Sequence, residues 1–88
     1  MISKEFTITN KNGLHARPAA LLIKAAGKFK SEIHISKDGY EVNGKSIMGV
    51  MTLAAETGST IKVVTDGSDE TQAMQAIEEL IENKFYEE

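Results

Sequence analysis

Residues 32–53, EIHISKDGYEVNGKSIMGVMTL, decide how this chain folds. Ile33 and Ile35 alternate with Glu32, His34 and Ser36, the two-residue period of a half-buried strand. Asp38-Gly39 is a tight-turn pair and Tyr40-Glu41-Val42 runs back from it, so the stretch predicts an antiparallel hairpin. Ser46 then stands where an N-cap is needed, ahead of a short helix at about 47–53. Upstream, Ile2, Lys4, Phe6 and Ile8 share one face of a first strand, with Phe6 and Ile8 pointing inward, and Asn10-Lys11-Asn12-Gly13 supplies a turn. A helix is predicted over 16–28: Ala19, Leu22, Ile23 and Ala26 fall on one face, Arg17, Lys24 and Lys28 on the other, and Gly27 helps to stop it. Downstream, Ile61, Val63 and Thr65 mark a fourth strand. Asp69 with Gln72 predicts a capping box, and Ala73, Ile77, Leu80 and Ile81 form the apolar stripe of a last helix. The order β-α-β-β-α-β-α predicts an α+β sandwich, one sheet covered by helices on one face.

Composition narrows the function classes. At 88 residues, 41% hydrophobic and 26% charged, without repeat, low-complexity tract or linker, the chain reads as one globular domain spanning 1–88. No apolar run is long enough for a membrane span, and MISKEFTITN is not a signal peptide, so a cytoplasmic protein is expected. Zero cysteines exclude disulfides, thiol chemistry and cysteine-bound zinc. A net charge of −3 argues against a general nucleic-acid binder. The charge is unevenly placed. Residues 1–44 hold seven Lys or Arg against four Asp or Glu, whereas 45–88 hold three against nine, with much of the acid at 70–88 on a solvated terminal helix.

Two motifs carry candidate chemistry. Gly39 to Ser46, GYEVNGKS, satisfies the phosphate-loop pattern letter for letter. That loop requires a strand ending before its first glycine and a long helix after its serine. Here the interior residues 40–42 themselves read as strand, so the match is a hairpin followed by a helix cap. The second motif is Gly13-Leu14-His15-Ala16-Arg17-Pro18-Ala19, which puts His15 where a turn ends and a helix begins. Helix starts present unpaired N–H groups and partial positive charge, so they bind anions. Pro18 is tolerated in the first turn because its missing N–H has no partner to lose there. A phosphoryl group on His15 would meet the N–H groups of Ala16 and Arg17, and the Arg17 guanidinium would add charge-assisted bonds. The nucleophile is a neutral imidazole lone pair. On composition alone, a lone His in a turn is more often an ordinary exposed residue.

NGLHARPAA at 12–20 together with GKSIMGVMTLAA at 44–55 resembles the HPr family, the histidine phosphocarriers of the bacterial phosphoenolpyruvate-dependent phosphotransferase system. The resemblance covers essentially the whole chain and implies an open-faced sandwich of a four-stranded antiparallel sheet and three helices. It implies that His15 accepts a phosphoryl group from phosphorylated enzyme I and passes it to the A domains of sugar transporters, with Arg17 neutralising its charge. It implies no cofactor and no metal, a transient phosphohistidine instead of an independent catalyst, and a monomer. Carriers of low-GC Gram-positive bacteria further imply phosphorylation of Ser46 by a dedicated kinase/phosphorylase, and a transcription regulator as partner of that form. A runner-up is the nitrogen-related regulatory branch, whose carriers Ala54-Ala55 and the ending Asn83 to Glu88 resemble, many sugar-branch carriers having Gly near position 54. A non-transferring binding module on the same surface is the alternative from another class.

Periodicity also predicts a docking surface. Ala20 and Leu21 project on the side of Arg17 and Lys24, and Ile47, Met48 and Met51 form a second apolar spot, while Val50 and Leu53 suit the core. The resemblance puts 47, 48 and 51 at the partner surface. The rim of Arg17, Lys24 and Lys45 predicts acidic partners and salt-sensitive association. His34 reads as a solvent-facing sheet residue, the carboxylates lack ligand spacing, and Tyr40, Phe85 and Tyr86 make no nucleic-acid stacking platform.

Overall fold

In chain order the elements are β1 (Ile2–Thr7), α1 (Ala16–Ala26), β2 (Glu32–Lys37), β3 (Tyr40–Asn43), α2 (Ile47–Thr52), β4 (Thr60–Asp66) and α3 (Glu70–Glu82), then a turn at Lys84–Tyr86. The computed structural model describes residues 1–86. Glu87 and Glu88, counted in the acidic terminal stretch, lie outside the described residues. The hairpin forms as its sequence predicts, with Ile35 opposite Val42 and Lys37 opposite Tyr40. Asp38 and Gly39 turn it with φ of 53° and 84°. Two left-handed residues in succession match the twist of the flanking strands, and Asp and Gly are residues that tolerate them.

The four strands form one antiparallel sheet in the order β1-β4-β2-β3. β4 therefore lies inside the sheet, paired with β1 from Ile2 opposite Thr65 to Thr7 opposite Thr60, and with β2 from Glu32 opposite Asp66 to Ser36 opposite Lys62. Its residues Ile61, Val63 and Thr65 are buried on the helical side. Thr65 is accommodated there because its hydroxyl donates to the Glu70 carbonyl at 3.0 Å.

The helices cover one face of this sheet. From α1 come Pro18, Ala19, Leu22 and Ala26, from α2 Val50, and from α3 Ala73, Met74, Ile77 and Ile81, all buried against Ile33, Ile35, Ile61 and Val63. Each large side chain so removed from water contributes about 1.5–3 kcal/mol. The apolar faces match their periodicity with two adjustments: Ile23 and Leu80 are only half buried, and Met74, outside the predicted stripe, is fully buried. Helix α1 stops two residues earlier than predicted. Gly27 caps it in the right-handed conformation (φ −66°), and Lys28 and Phe29 donate to the carbonyls of Ala25 and Ala26 in a tightened last turn.

The predicted capping box at α3 does not form. Asp69 is the N-cap residue, but its side chain makes no capping bond. Its carboxylate instead accepts from the backbone N–H groups of Lys30 and Ser31, both at 2.9 Å, and from the Ser31 hydroxyl. These donors sit on the connection entering β2, which passes the start of α3, and three of them outcompete one local N–H. They hold the Asp69 carboxyl below the usual carboxylate range, the Ser31 hydroxyl first among them. After α3, Lys84, Phe85 and Tyr86 all take left-handed conformations, with φ of 53–57°. That turn swings Phe85 back into the core, where it is 1% exposed.

Candidate functional site

His15 is the N-cap residue of α1, with extended backbone (φ −83°, ψ −171°), and its carbonyl accepts the first helical bond from Ala19 N–H at 2.9 Å. The N–H groups of Ala16 and Arg17 therefore precede the first bonded turn and have no helical acceptor. Pro18 brings no N–H at all. No acidic residue stands in that first turn to offset its partial positive charge. Arg17 is exposed beside it. The helix start that the motif predicts is formed, with the N–H groups of Ala16 and Arg17 left without a helical acceptor.

The loop carrying His15 is pinned from two sides. Asn10 is buried and its amide nitrogen donates to the Gly13 carbonyl at 2.6 Å, while Leu14 N–H donates to the Ala55 carbonyl at 2.7 Å. Gly13 has φ +67°, and a Cβ there would fall 2.5 Å from the Ala55 carbonyl oxygen. Only glycine permits that approach. Leu14, 4% exposed, anchors the loop in the core, so His15 is presented half buried from a fixed base. Beside it lies a shallow groove of about 240 Å³, lined by Asn12, Leu14, His15, Met51, Ala54–Ala55 and Glu56. Ala54 has φ +50°, a left-handed conformation unusual for alanine.

Met51 joins this groove to α2. Ser46 caps that helix as predicted, its hydroxyl oxygen accepting from Gly49 N–H at 3.1 Å. Val50 and Leu53 point into the core, whereas Ile47, Met48 and Met51 are 41%, 72% and 42% exposed. Together they leave an apolar patch open to solvent, and Met51 carries it to the groove beside His15. On α1, Ala20 is exposed and Leu21 is half buried against the core, with Lys24 exposed in the last turn. Lys45 is held in place: its ammonium donates to the Phe29 carbonyl at 2.7 Å, a backbone acceptor left over at the exit of α1, and so ties that exit to the start of α2.

The phosphate-loop match is accounted for as a hairpin turn, a strand and a cap. His34 is half buried on the sheet face away from the helices, with Nδ1 3.2 Å from a Glu41 carboxylate oxygen and Nε2 3.8 Å from Glu32. It does not approach His15. Asn12 belongs to the turn and motif already read, whereas Glu56 is a groove residue that the sequence leaves unmarked, since it reaches His15 through the pairing of Leu14 with Ala55, 41 residues apart in the chain.

Comparison with known proteins points the same way. The family model described as the PTS HPr component phosphorylation site matches residues 2–83. The phosphocarrier protein HPr of Xylella fastidiosa is 54% identical over 88 residues, covering 100% of this chain and 99% of its own. That of Treponema pallidum is 50% identical, with both chains covered in full. The crystal structure of HPr from Thermoanaerobacter tengcongensis superposes with a TM-score of 0.97 at 49% identity, over 100% of this chain and 99% of its own.

Proposed function

The chain belongs to the HPr family of the phosphotransferase system, and from that premise we propose that it relays a phosphoryl group on His15. Enzyme I, charged from phosphoenolpyruvate, is the donor; the A domains of sugar transporters are the acceptors. The observation that carries this reading is His15 at the N-cap of α1, with the Ala16 and Arg17 N–H groups and the Arg17 side chain available to a dianion. The lone pair of an imidazole nitrogen attacks phosphorus, the donor's bond to phosphorus breaks, and the new charge settles against the helix start. No prosthetic group enters the step, and the residues named supply binding and orientation for a reaction completed by a partner.

Ala20, Leu21, Ile47, Met48 and Met51 form the surface on which those partners dock, with Arg17 and Lys24 favouring acidic counterparts. Flexible methionines suit a surface that must accept several proteins in turn. The carrier works as a monomer in the cytoplasm. Ser46 is a regulatory position: a phosphate on its hydroxyl adds about two negative charges beside the patch and repels acidic partners. The opposing kinase/phosphorylase and a regulator that binds the modified form belong to this reading. Assignment to the sugar branch over the nitrogen branch rests on the general match at 12–20 and 44–55, and competition between the two cognate enzyme I proteins decides it.

The test mixes the purified chain with enzyme I and phosphoenolpyruvate and reads intact mass before and after acid. An acid-labile phosphoryl adduct on the wild type, absent from His15→Ala, is the expected result. No adduct with either branch's enzyme I would overturn the relay and favour a pure binding module.

A further inference from the structure

Within the groove beside His15, Glu56 is the one carboxylate among the described lining residues. Its backbone has little freedom to move away. A Cβ on Gly13 would sit 2.8 Å from the Glu56 Cα, so the two chains are in van der Waals contact two residues before His15. Leu14 N–H holds the neighbouring Ala55 carbonyl at 2.7 Å, and the Glu56 carbonyl accepts from Ser59 N–H at 2.9 Å, closing a tight turn. Glu56 is an exposed residue. A phosphoryl group on His15 is thus flanked unequally. The start of α1 and Arg17 attract it; Glu56 repels it.

We propose that Glu56 tunes the phosphoryl-transfer equilibrium at His15, keeping the phosphorylated form high enough in energy to be passed on. This rests on the relay reading above. In the step concerned, an N–P bond forms at His15 as the donor's bond to phosphorus breaks. The ring N–H proton lost by His15 balances the proton that the vacated donor takes up. About two negative charges arrive beside the Glu56 carboxylate, and their mutual repulsion exists only in the phosphorylated state. Glu56 touches none of the reacting atoms; it acts through His15. Helix dipole and arginine alone would make a trap for phosphate, and a relay needs a bond that it can give up.

The experiment equilibrates the full chain with enzyme I at a fixed ratio of phosphoenolpyruvate to pyruvate and measures the phosphorylated fraction by intact mass after alkaline quench. Glu56→Gln should raise the ratio of phosphorylated to free chain about three-fold at low ionic strength, and Glu56→Lys further. Glu56→Asp should stay with the wild type. In 1 M salt, where the Debye length is about 3 Å, the differences should collapse. Thermal midpoints should be alike across the series, which a structural role would not give. Equal ratios for Glu, Gln and Lys at low salt, with the wild type clearly phosphorylated, would overturn the proposal while leaving the relay intact. A wild type that takes no phosphoryl group would remove both.

Discussion

Ala54, in the groove beside His15, and Ser46, at the start of α2, hold a conformation and a bond that can be tested one at a time. Ala54 sits at φ +50°, where its Cβ crowds the backbone. The left-handed region costs a non-glycine residue about 1–2 kcal/mol, and glycine loses about 0.5–1 kcal/mol of extra chain entropy on folding. Ala54→Gly should therefore stabilise the fold by about 0.5 kcal/mol in chemical denaturation. A loss of stability there would mean that the alanine methyl packs more than its exposure indicates. Ser46 has two roles that substitution separates. Ser46→Ala removes the acceptor for Gly49 N–H and should cost about 1 kcal/mol. Ser46→Asp keeps an N-cap acceptor, so stability should hold while transfer from enzyme I slows. A Ser46→Asp protein that transfers at the wild-type rate would remove the regulatory reading.

At the level of elements, the connections between secondary structures set the site. Gly13 lets the 10–15 loop lie against residues 55–56, because its left-handed φ of +67° strains a side chain and the close approach leaves no room for a Cβ. Gly13→Ala places a methyl 2.5 Å from a backbone oxygen in the left-handed region. The expected cost is about 2–3 kcal/mol, with His15 displaced, so phosphoryl transfer should fall by more than the lost folded fraction. The Asp69 carboxylate ties the entry of β2 to α3 through Lys30 and Ser31, which lowers its pKa in the folded chain. A carboxyl depressed on folding adds stability that is fully present above its unfolded value of about 4 and is lost as pH falls through the lower folded value. Asp69→Asn should thus be less stable than the wild type at neutral pH, and the gap should close in acid. Denaturation midpoints at neutral pH and in strong acid check this, and a gap independent of pH would assign the effect to geometry instead of charge.

Across the described residues, a buried sheet–helix interface contrasts with the exposed apolar patch of Ile47, Met48 and Met51. Ile47, at 41% exposure, gives little to the core, so Ile47→Asp should change stability by less than about 0.5 kcal/mol. Yet it puts a charge into the middle of the proposed docking surface. Transfer from enzyme I should drop at least ten-fold through weaker association, read as a raised KM, whereas an unchanged KM would move docking elsewhere. Raising ionic strength should weaken association through Arg17 and Lys24. Lys45 should add to that salt dependence, because its hydrogen bond to the neutral Phe29 carbonyl fixes the ammonium without cancelling its charge.

What the amino-acid order determined by itself is local. The Ile33–Ile35 alternation, Asp38-Gly39 and Ser46 specify a hairpin and a capped helix through short-range sterics and hydrogen bonds, and Gly13 to Pro18 specify a histidine at a helix start. Periodicity likewise separates Val50 and Leu53 from Ile47, Met48 and Met51. Tertiary structure decided whatever depends on which distant group arrives. Asp69 abandons its local capping bond because three donors from the 30–31 connection reach it. Lys45 turns to Phe29, and Met74 joins Ala73, Ile77 and Ile81 in the core while Leu80 stays half buried. Glu56 becomes a neighbour of His15 only when Leu14 bonds to Ala55. A polar group takes the best partner within about 3 Å, and the local sequence cannot say what the fold will bring that close.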